Sequence, residues 1–272
     1  MKRYFYYIFL LSLMACQKQT DWNLNTQASD KIVVDGTITN ENKTQSVRIT
    51  YPITQLNETP QPLTGAYVVI NDEDSTHLFT EEPLNPGYYS SNSKFIGQEV
   101  HQYTLIINNN GKIYSAKSLM EPAISFHPLT YSKNTGDNLY HIDKVTTSFN
   151  ATQNAMYEVL LDWSTVAGYE NQNPADCKAR LLYYSLPTLD VSEVLAPQME
   201  KVSFPAGTII IEKRYTLNPE HAAYIRALLS ETTWTGGLFD SSHSNIPTNL
   251  SNGALGFFAA CGVSSLSLTV AP

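Results

Sequence analysis

Residues 103–119, YTLIINNNGKIYSAKSL, form the stretch that decides the fold class. Tyr103, Leu105 and Ile107 occupy alternate positions, which is the period of a strand with one buried face. The sequence NNNG follows, and asparagine and glycine favour a tight hairpin turn because both tolerate positive φ. Residues 112–119 supply a returning strand. The stretch therefore predicts an antiparallel β-hairpin.

The same period of two recurs on the N-terminal side of this hairpin. In residues 31–39, Ile32, Val34 and Ile38 fall on one face of a strand. About seven short strands in roughly 90 residues, separated by turn-forming residues, are typical of a β-sandwich. We therefore predict an Ig-like sandwich over residues 31–121, with further strands at 47–51, 66–70, 76–80 and 87–90.

A second β-rich unit is predicted over residues 122–272. Pro122 and Pro128 bound a connector, because proline interrupts strand ladders. Every second residue of 157–163 is apolar, as in a half-buried strand. The glycines of the tail favour tight turns around a final strand pair. The other candidate strands of this unit lie at 142–149, 179–186 and 208–217.

One helix is predicted in this second unit, at about residues 219–231. Asn218 is a favoured N-cap, Pro219 suits the first helical position, and Glu220 places a negative charge near the helix N-terminus. Apolar residues then recur at helical spacing, so we expect the helix to cover a face or an edge of a sheet. The predicted fold class is mainly β, with two sandwich-like units and one covering helix.

The first sixteen residues, MKRYFYYIFLLSLMAC, have the order of a secretory signal. Their apolar run is too short to cross a bilayer, which takes about 20 residues. The sequence LMAC ending at Cys16 resembles the bacterial lipobox, in which the signal is removed before a cysteine that is then lipidated. We predict a signal peptide over 1–15 and a lipidated tether over 16–30. The alternative is an ordinary secreted protein with a chance cysteine near its cleavage site.

Composition limits the classes of function. The chain has 42% hydrophobic and 15% charged residues, which favours a packed core over global disorder. Its formal net charge is −8, and no basic run occurs in it. Because nucleic-acid binding needs a clustered positive surface, we expect no nucleic-acid partner.

Two cysteines remain after Cys16, at positions 177 and 261. In an oxidising compartment, Cys177 and Cys261 could form one disulfide. They could equally be two separate buried thiols, because free cysteine packs as a small hydrophobic residue. Sequence alone leaves both alternatives open.

Motifs of catalysis and metal binding are not found in the sequence. It has no Gly-x-Ser-x-Gly elbow, no His-Glu-x-x-His, no phosphate-binding glycine loop and no Cys-x-x-Cys. We interpret the acidic run Asp72–Asp74 as a solvated turn rather than a calcium site, and His243 as a loop residue that could contact a ligand. We therefore predict no catalytic residue, no metal and no cofactor. The six histidines, at 77, 101, 127, 141, 221 and 243, lack metal-ligand spacing.

The first unit resembles the transthyretin-like and carboxypeptidase-regulatory-like group of Ig-type sandwiches. The likeness is carried by GAYVVI at residues 65–70, GYY at 87–89 and YTLII at 103–107. The resemblance implies a module that binds, packs or spaces.

The chain also resembles the Bacteroidota cell-envelope lipoproteins grouped as domain of unknown function 4249. Besides the lipobox and the opening at 33–39, the residues that carry the likeness are Phe239–Asp240, Asn245–Asn249 and Gly253–Phe258. The resemblance spans about residues 30 to 270. It implies a lipoprotein anchored at the bacterial outer membrane, on either side of it, as an accessory to a TonB-dependent transporter, and it brings no catalytic residues.

Three functional classes follow from these observations. The first is a non-enzymatic accessory or ligand-binding partner of such a transporter, acting in nutrient uptake. The second is a secreted enzyme that hydrolyses glycans or peptides with a site assembled from scattered carboxylates, which spacing along the chain would not reveal. The third is a structural or adhesive surface protein.

Overall fold

A computed structural model describes residues 31–55, 57–145, 153–186, 202–232 and 245–271. Within these ranges the chain forms fourteen strands and one helix, α1 (Pro219–Thr232), so the prediction of a mainly β fold is confirmed. The strands are β1 (Val33–Thr39), β2 (Ser46–Thr50), β3 (Tyr67–Asn71), β4 (Thr76–Glu82), β5 (Asn85–Ser91), β6 (Gln102–Asn109), β7 (Lys112–Leu119), β8 (Thr130–Lys133), β9 (Tyr140–Lys144), β10 (Ala155–Asp162), β11 (Lys178–Ser185), β12 (Ile209–Thr216), β13 (Leu255–Cys261) and β14 (Val263–Thr269).

The first sheet has eight strands in the order β13-β1-β2-β5-β4-β3-β6-β7. The hairpin predicted from residues 103–119 is confirmed as β6 and β7, whose register runs from Gln102 opposite Leu119 to Asn109 opposite Lys112. The two outer strands of the order, β7 and β13, lie side by side, since single bridges join Ala116 to Leu250 and Glu121 to Cys261. The sheet therefore curls around one apolar core, as in a sandwich-like arrangement.

The expectation of a final strand pair in the tail is wrong. Strand β13 pairs in parallel with β1 in the first sheet, whereas β14 pairs with β12 in the second. Only Gly262 separates these two strands, which is shorter than the two-residue loop of a tight hairpin. A Cβ atom at Gly262 would clash with the Glu121 carbonyl oxygen, so the chain passes close to the connector there and continues into the other sheet.

The second sheet has four strands in the order β11-β10-β12-β14, and β8 and β9 form a separate hairpin. The predicted helix is confirmed as α1, and its N-cap is Asn218, whose side-chain oxygen accepts the His221 N–H at 2.9 Å. Helix α1 packs in a cluster with residues of β12, β13 and β14, so it lies where the two sheets meet. The division of the chain at residue 121 stays a prediction, to which the sheet order adds that β13 belongs to the first sheet.

Candidate functional site

Two of the tail segments that carry the family likeness, Asn245–Asn249 and Gly253–Phe258, contribute residues to the seam between β7 and β13. The Asn249 side-chain amide donates to the carbonyl oxygens of Lys117 at 2.9 Å and Phe258 at 2.7 Å, and its oxygen accepts the Phe258 N–H at 3.1 Å. Thr248 adds a hydrogen bond to the Gly256 carbonyl at 2.7 Å. These side chains take the place of backbone partners that two adjacent strands would otherwise give each other. Asn249 is therefore a structural residue that closes the sheet.

A groove of about 600 Å³ opens beside this seam, and we call it the tail groove. Strand β7, helix α1 and the tail form its walls. Lys117 lies on the β7 side and Glu220 on the helix side, so both signs of charge line it. Its size and mixed lining are those of a site for a small ligand or a short segment of a partner. Its lining residues are Ser115, Ala116, Lys117, Glu220, Ala223, Phe257 and 247–251.

A second groove, of about 520 Å³, lies on the outer face of the second sheet. Its lining includes the apolar side chains of Leu160, Ile209 and Ile211, and an ion pair joins Lys178 to Asp162 across it at 3.0 Å. This groove lies at the end of β12 that is remote from α1. It is the more apolar of the two grooves. Neither groove could be predicted from the sequence, because the residues of each come from segments far apart in the chain: three strands for this groove, and β7, α1 and the tail for the tail groove.

The two units are joined by an ion-pair cluster around Glu41. Its carboxylate binds the Lys43 ammonium at 2.8 Å and the Lys213 ammonium of β12 at 2.6 Å. Burial alone would raise the pKa of Glu41, but hydrogen bonds from Lys213 and Lys43 outweigh it and lower that pKa to about 2. The Val263 N–H also donates to the Asn40 side chain at 2.8 Å. The loop after β1 therefore fixes the first sheet to the second.

Both cysteines are free and buried in the structure, which corresponds to the alternative of separate thiols. Cys177 lies in the core of the second sheet, and Cys261 lies in the cluster around α1. The Cys261 sulfur is 3.6 Å from His221 Nδ1. Burial raises the pKa of the Cys261 thiol to about 12 and lowers the pKa of His221 to about 4, so both groups are neutral at pH 7. A buried thiol in its protonated form is a poor nucleophile.

The β8–β9 hairpin brings together a serine, a histidine and an aspartate that the sequence analysis did not single out. The Ser132 hydroxyl donates to Asp143 at 2.6 Å and lies 3.5 Å from His141 Nε2. The other ring nitrogen of His141 contacts the Asn134 side-chain oxygen at 2.6 Å. In a catalytic relay the serine would donate to the histidine, whereas here its proton is directed to the carboxylate.

The acidic run at Asp72 forms a turn, as the sequence predicted. One Asp72 oxygen accepts the N–H groups of Asp74 and Ser75, and the other lies 2.9 Å from His77 Nε2. Among the residues that the structure describes, no group of three or more His, Cys, Asp or Glu side chains could hold a metal ion. Cys16, Phe239–Asp240 and His243 lie outside the described residues.

Two ionisable side chains, Glu212 and Arg214, are buried on the inner face of β12, which their positions in the sequence did not indicate. Glu212 accepts the Leu129 N–H at 2.9 Å with one oxygen, while its other oxygen has no hydrogen-bond partner within the described structure. Burial raises the pKa of Glu212. Two residues on, the Arg214 guanidinium donates to the Thr216 hydroxyl at 2.8 Å and the Tyr157 hydroxyl at 3.3 Å. In the sequence, both residues fit the alternating pattern of an ordinary strand with one polar face. Only the structure shows that these two side chains are buried.

The fold and these sites define a class: a mainly β protein whose described residues form sandwich-like sheets, one covering helix and open grooves. Comparison with family models then gives the particular family. The model described as Domain of unknown function (DUF4249) matches residues 18–267, and this chain belongs to that family. A comparison with curated proteins finds no match. In the described parts of the chain, no helix has the length and apolar character needed to cross a membrane.

Proposed function

We propose that this protein is a lipid-anchored envelope protein that serves as a non-enzymatic binding partner of a TonB-dependent outer-membrane transporter. The signal sequence and Cys16 support the anchor, as does the resemblance to envelope lipoproteins. The observation that carries the binding role is the tail groove. Residues that carry the family likeness form one of its walls, and their own polar groups are already engaged in closing the sheet. The groove is thus a preformed cleft on a rigid support.

The tail groove supports binding better than catalysis. A preformed cleft with a few polar groups on an apolar floor is the usual form of a ligand site. Its charged side chains, Lys117 and Glu220, are single groups of opposite sign on opposite walls. Such a pair fixes the orientation of a bound segment or ligand more than it adds affinity.

A pull-down in mild detergent from native outer membranes tests the proposal. We expect a β-barrel transporter to co-purify in stoichiometric amount with the wild-type protein. Ala223→Glu places a charged side chain in the groove, and we expect it to abolish that co-purification. Arg226→Glu is the matched control, because Arg226 is exposed on the same helix and does not line the groove. Recovery of the wild-type protein alone would contradict the proposal.

The hydrolase alternative has its own specific observation, the Ser132, His141 and Asp143 cluster. Turnover of a glycan or peptide panel that is retained through purification and lost in Ser132→Ala would favour an enzyme. We expect no such turnover, because the Ser132 hydroxyl donates to Asp143 rather than to His141.

A further inference from the structure

The register of the first sheet fixes the end at which the N-terminal tether joins it. Strand β1 begins at Val33, which lies opposite Thr50 and Leu255, and it ends at Thr39, beside the junction with the second sheet. Lys31 therefore lies at the end remote from the junction. We call this end the tether pole. It comprises residue 31, the described parts of the loop and strand start that follow β2 (51–55 and 57–67), the turn 81–86, the hairpin turn 109–113 and residues 251–255, since the strand pairings place these segments at the same end.

The tether pole exposes several large apolar and aromatic side chains. Leu84, in the turn between β4 and β5, is 92% exposed, which is extreme for a leucine. Single exposed apolar residues are ordinary on protein surfaces, but a group of them at one end marks an interaction surface. The other large apolar or aromatic side chains exposed at this pole are Tyr51, Ile53, Tyr67, Ile113 and Leu255.

The loops of this pole are held in place by hydrogen bonds. The Glu81 carboxylate accepts the N–H of Gly65 at 2.8 Å and of Gly87 at 3.0 Å, which ties the loop to the turn. The Tyr89 hydroxyl donates to the Leu63 carbonyl at 2.8 Å and accepts the Ala66 N–H at 3.0 Å. Leu84 is thus displayed on an organised support.

The length of the tether limits what can cover this surface. Fourteen residues separate Cys16 from Lys31. Fully extended, such a segment spans at most about 50 Å, which is the greatest distance the pole can reach from a lipidated Cys16. Because a lipidated Cys16 is fixed in the bilayer, the bilayer is the surface that the tether holds near this pole.

We propose that the tether pole lies against the lipid bilayer, with Leu84 and Ile53 inserted in the interface and the tyrosines at the headgroup level. Tyrosine is enriched at that level, because it has an apolar ring and a polar tip. The pole carries acidic Glu58, Glu81 and Glu82 with basic Lys31 and Lys112, so the contact depends on apolar insertion rather than on a basic patch. The proposal rests on the lipid anchor of the proposed function.

The two buried thiols allow a site-specific test in the full, lipidated protein. Because Cys177 and Cys261 are buried, a cysteine introduced at an exposed position can be labelled selectively with an environment-sensitive fluorophore. The test variant is Leu84→Cys. The control is Ile96→Cys, since Ile96 is also apolar and exposed (57%) but lies near Thr39, at the opposite end of the sheet. Both are reconstituted in phosphatidylcholine vesicles that contain quencher lipids.

We expect the label at 84 to shift to the blue and to be quenched at a depth of roughly 5–10 Å. The label at 96 should show neither change. Equal quenching at the two positions, with the protein bound to the vesicles, would overturn the proposal. A label at 84 that shifts to the blue in native membranes, but shows neither shift nor quenching in the vesicles, would overturn the proposal in favour of a protein partner. Failure of the anchor is a distinct result, because the lipidated protein would then not bind vesicles at all.

Discussion

The cores of the two sheets differ in how they treat polar groups. The first sheet encloses an apolar cluster, and its buried polar side chains, such as Gln45 and Ser118, are hydrogen-bonded to backbone at its edges. The second sheet buries Glu212 and Arg214 on the inner face of one strand. Burying charge costs stability unless it is well compensated. The difference indicates that the first sheet is the stable scaffold. In the second sheet, removing a buried charge should raise the free energy of unfolding.

The largest expected effect is in the first sheet. Phe258 is fully buried in β13, so Phe258→Ala should lower the free energy of unfolding by about 3–5 kcal/mol through lost burial and the cavity left behind. Denaturant unfolding of the purified protein measures it. An effect within about 0.5 kcal/mol, which is the range of surface substitutions, would mean that the tail is not part of this core.

Removing the seam amide should have the next largest effect. Asn249→Ala removes one hydrogen bond to Lys117 of β7 and two to Phe258 of β13, and we expect the free energy of unfolding to fall by about 2 kcal/mol. Thermal and denaturant unfolding would both report it. Asn85→Ala is the control, since exposed Asn85 makes a single side-chain contact with Glu82, and it should be nearly neutral. Equal effects of the two variants would contradict a structural role for Asn249.

In the second sheet we expect a substitution to stabilise the protein. The pKa of Glu212 is raised on folding, so its contribution is fully present below the unfolded pKa and is lost as pH rises through the folded pKa. Glu212→Gln keeps an acceptor for the Leu129 N–H and removes the charge, which should add about 1 kcal/mol at pH 7. Unfolding at pH 4 and pH 7 would show the gain only at the higher pH. A loss of stability at pH 7 would show that the charge is compensated.

The junction between the sheets should respond to pH in the opposite direction. The pKa of Glu41 is lowered to about 2 from 4.5, so its contribution is present above about pH 4.5 and is lost as pH falls through about 2. The group is partly exposed, so screening reduces the effect, and we expect Glu41→Gln to cost about 1 kcal/mol at pH 7 and little at pH 2. The same loss at both pH values would show that the ion pairs do not stabilise the junction.

The smallest expected effect is that of a reducing agent. Because Cys177 and Cys261 lie as free thiols in different clusters, dithiothreitol should leave the unfolding midpoint unchanged. A fall in the midpoint on reduction would instead demonstrate a disulfide between them.

The sequence predicted those elements whose signals are local. The hairpin around Asn110 and Gly111 and the helix that begins after Asn218 depend on turn and capping residues close in the chain. The sequence did not predict that β13 and β14 join different sheets, because this depends on contacts of Gly262 with the connector around Glu121. The tail groove likewise joins residues more than 100 positions apart, such as Lys117 and Glu220, and no spacing rule connects them.

Both the proposed transporter partner and the proposed membrane contact require the lipid anchor. Mass spectrometry of the protein extracted from its native membrane tests the anchor directly. We predict that the mature N-terminal peptide begins at Cys16 and carries the mass of attached acyl chains. A peptide that contains unmodified Cys16, or one that retains residues 1–15, would contradict it.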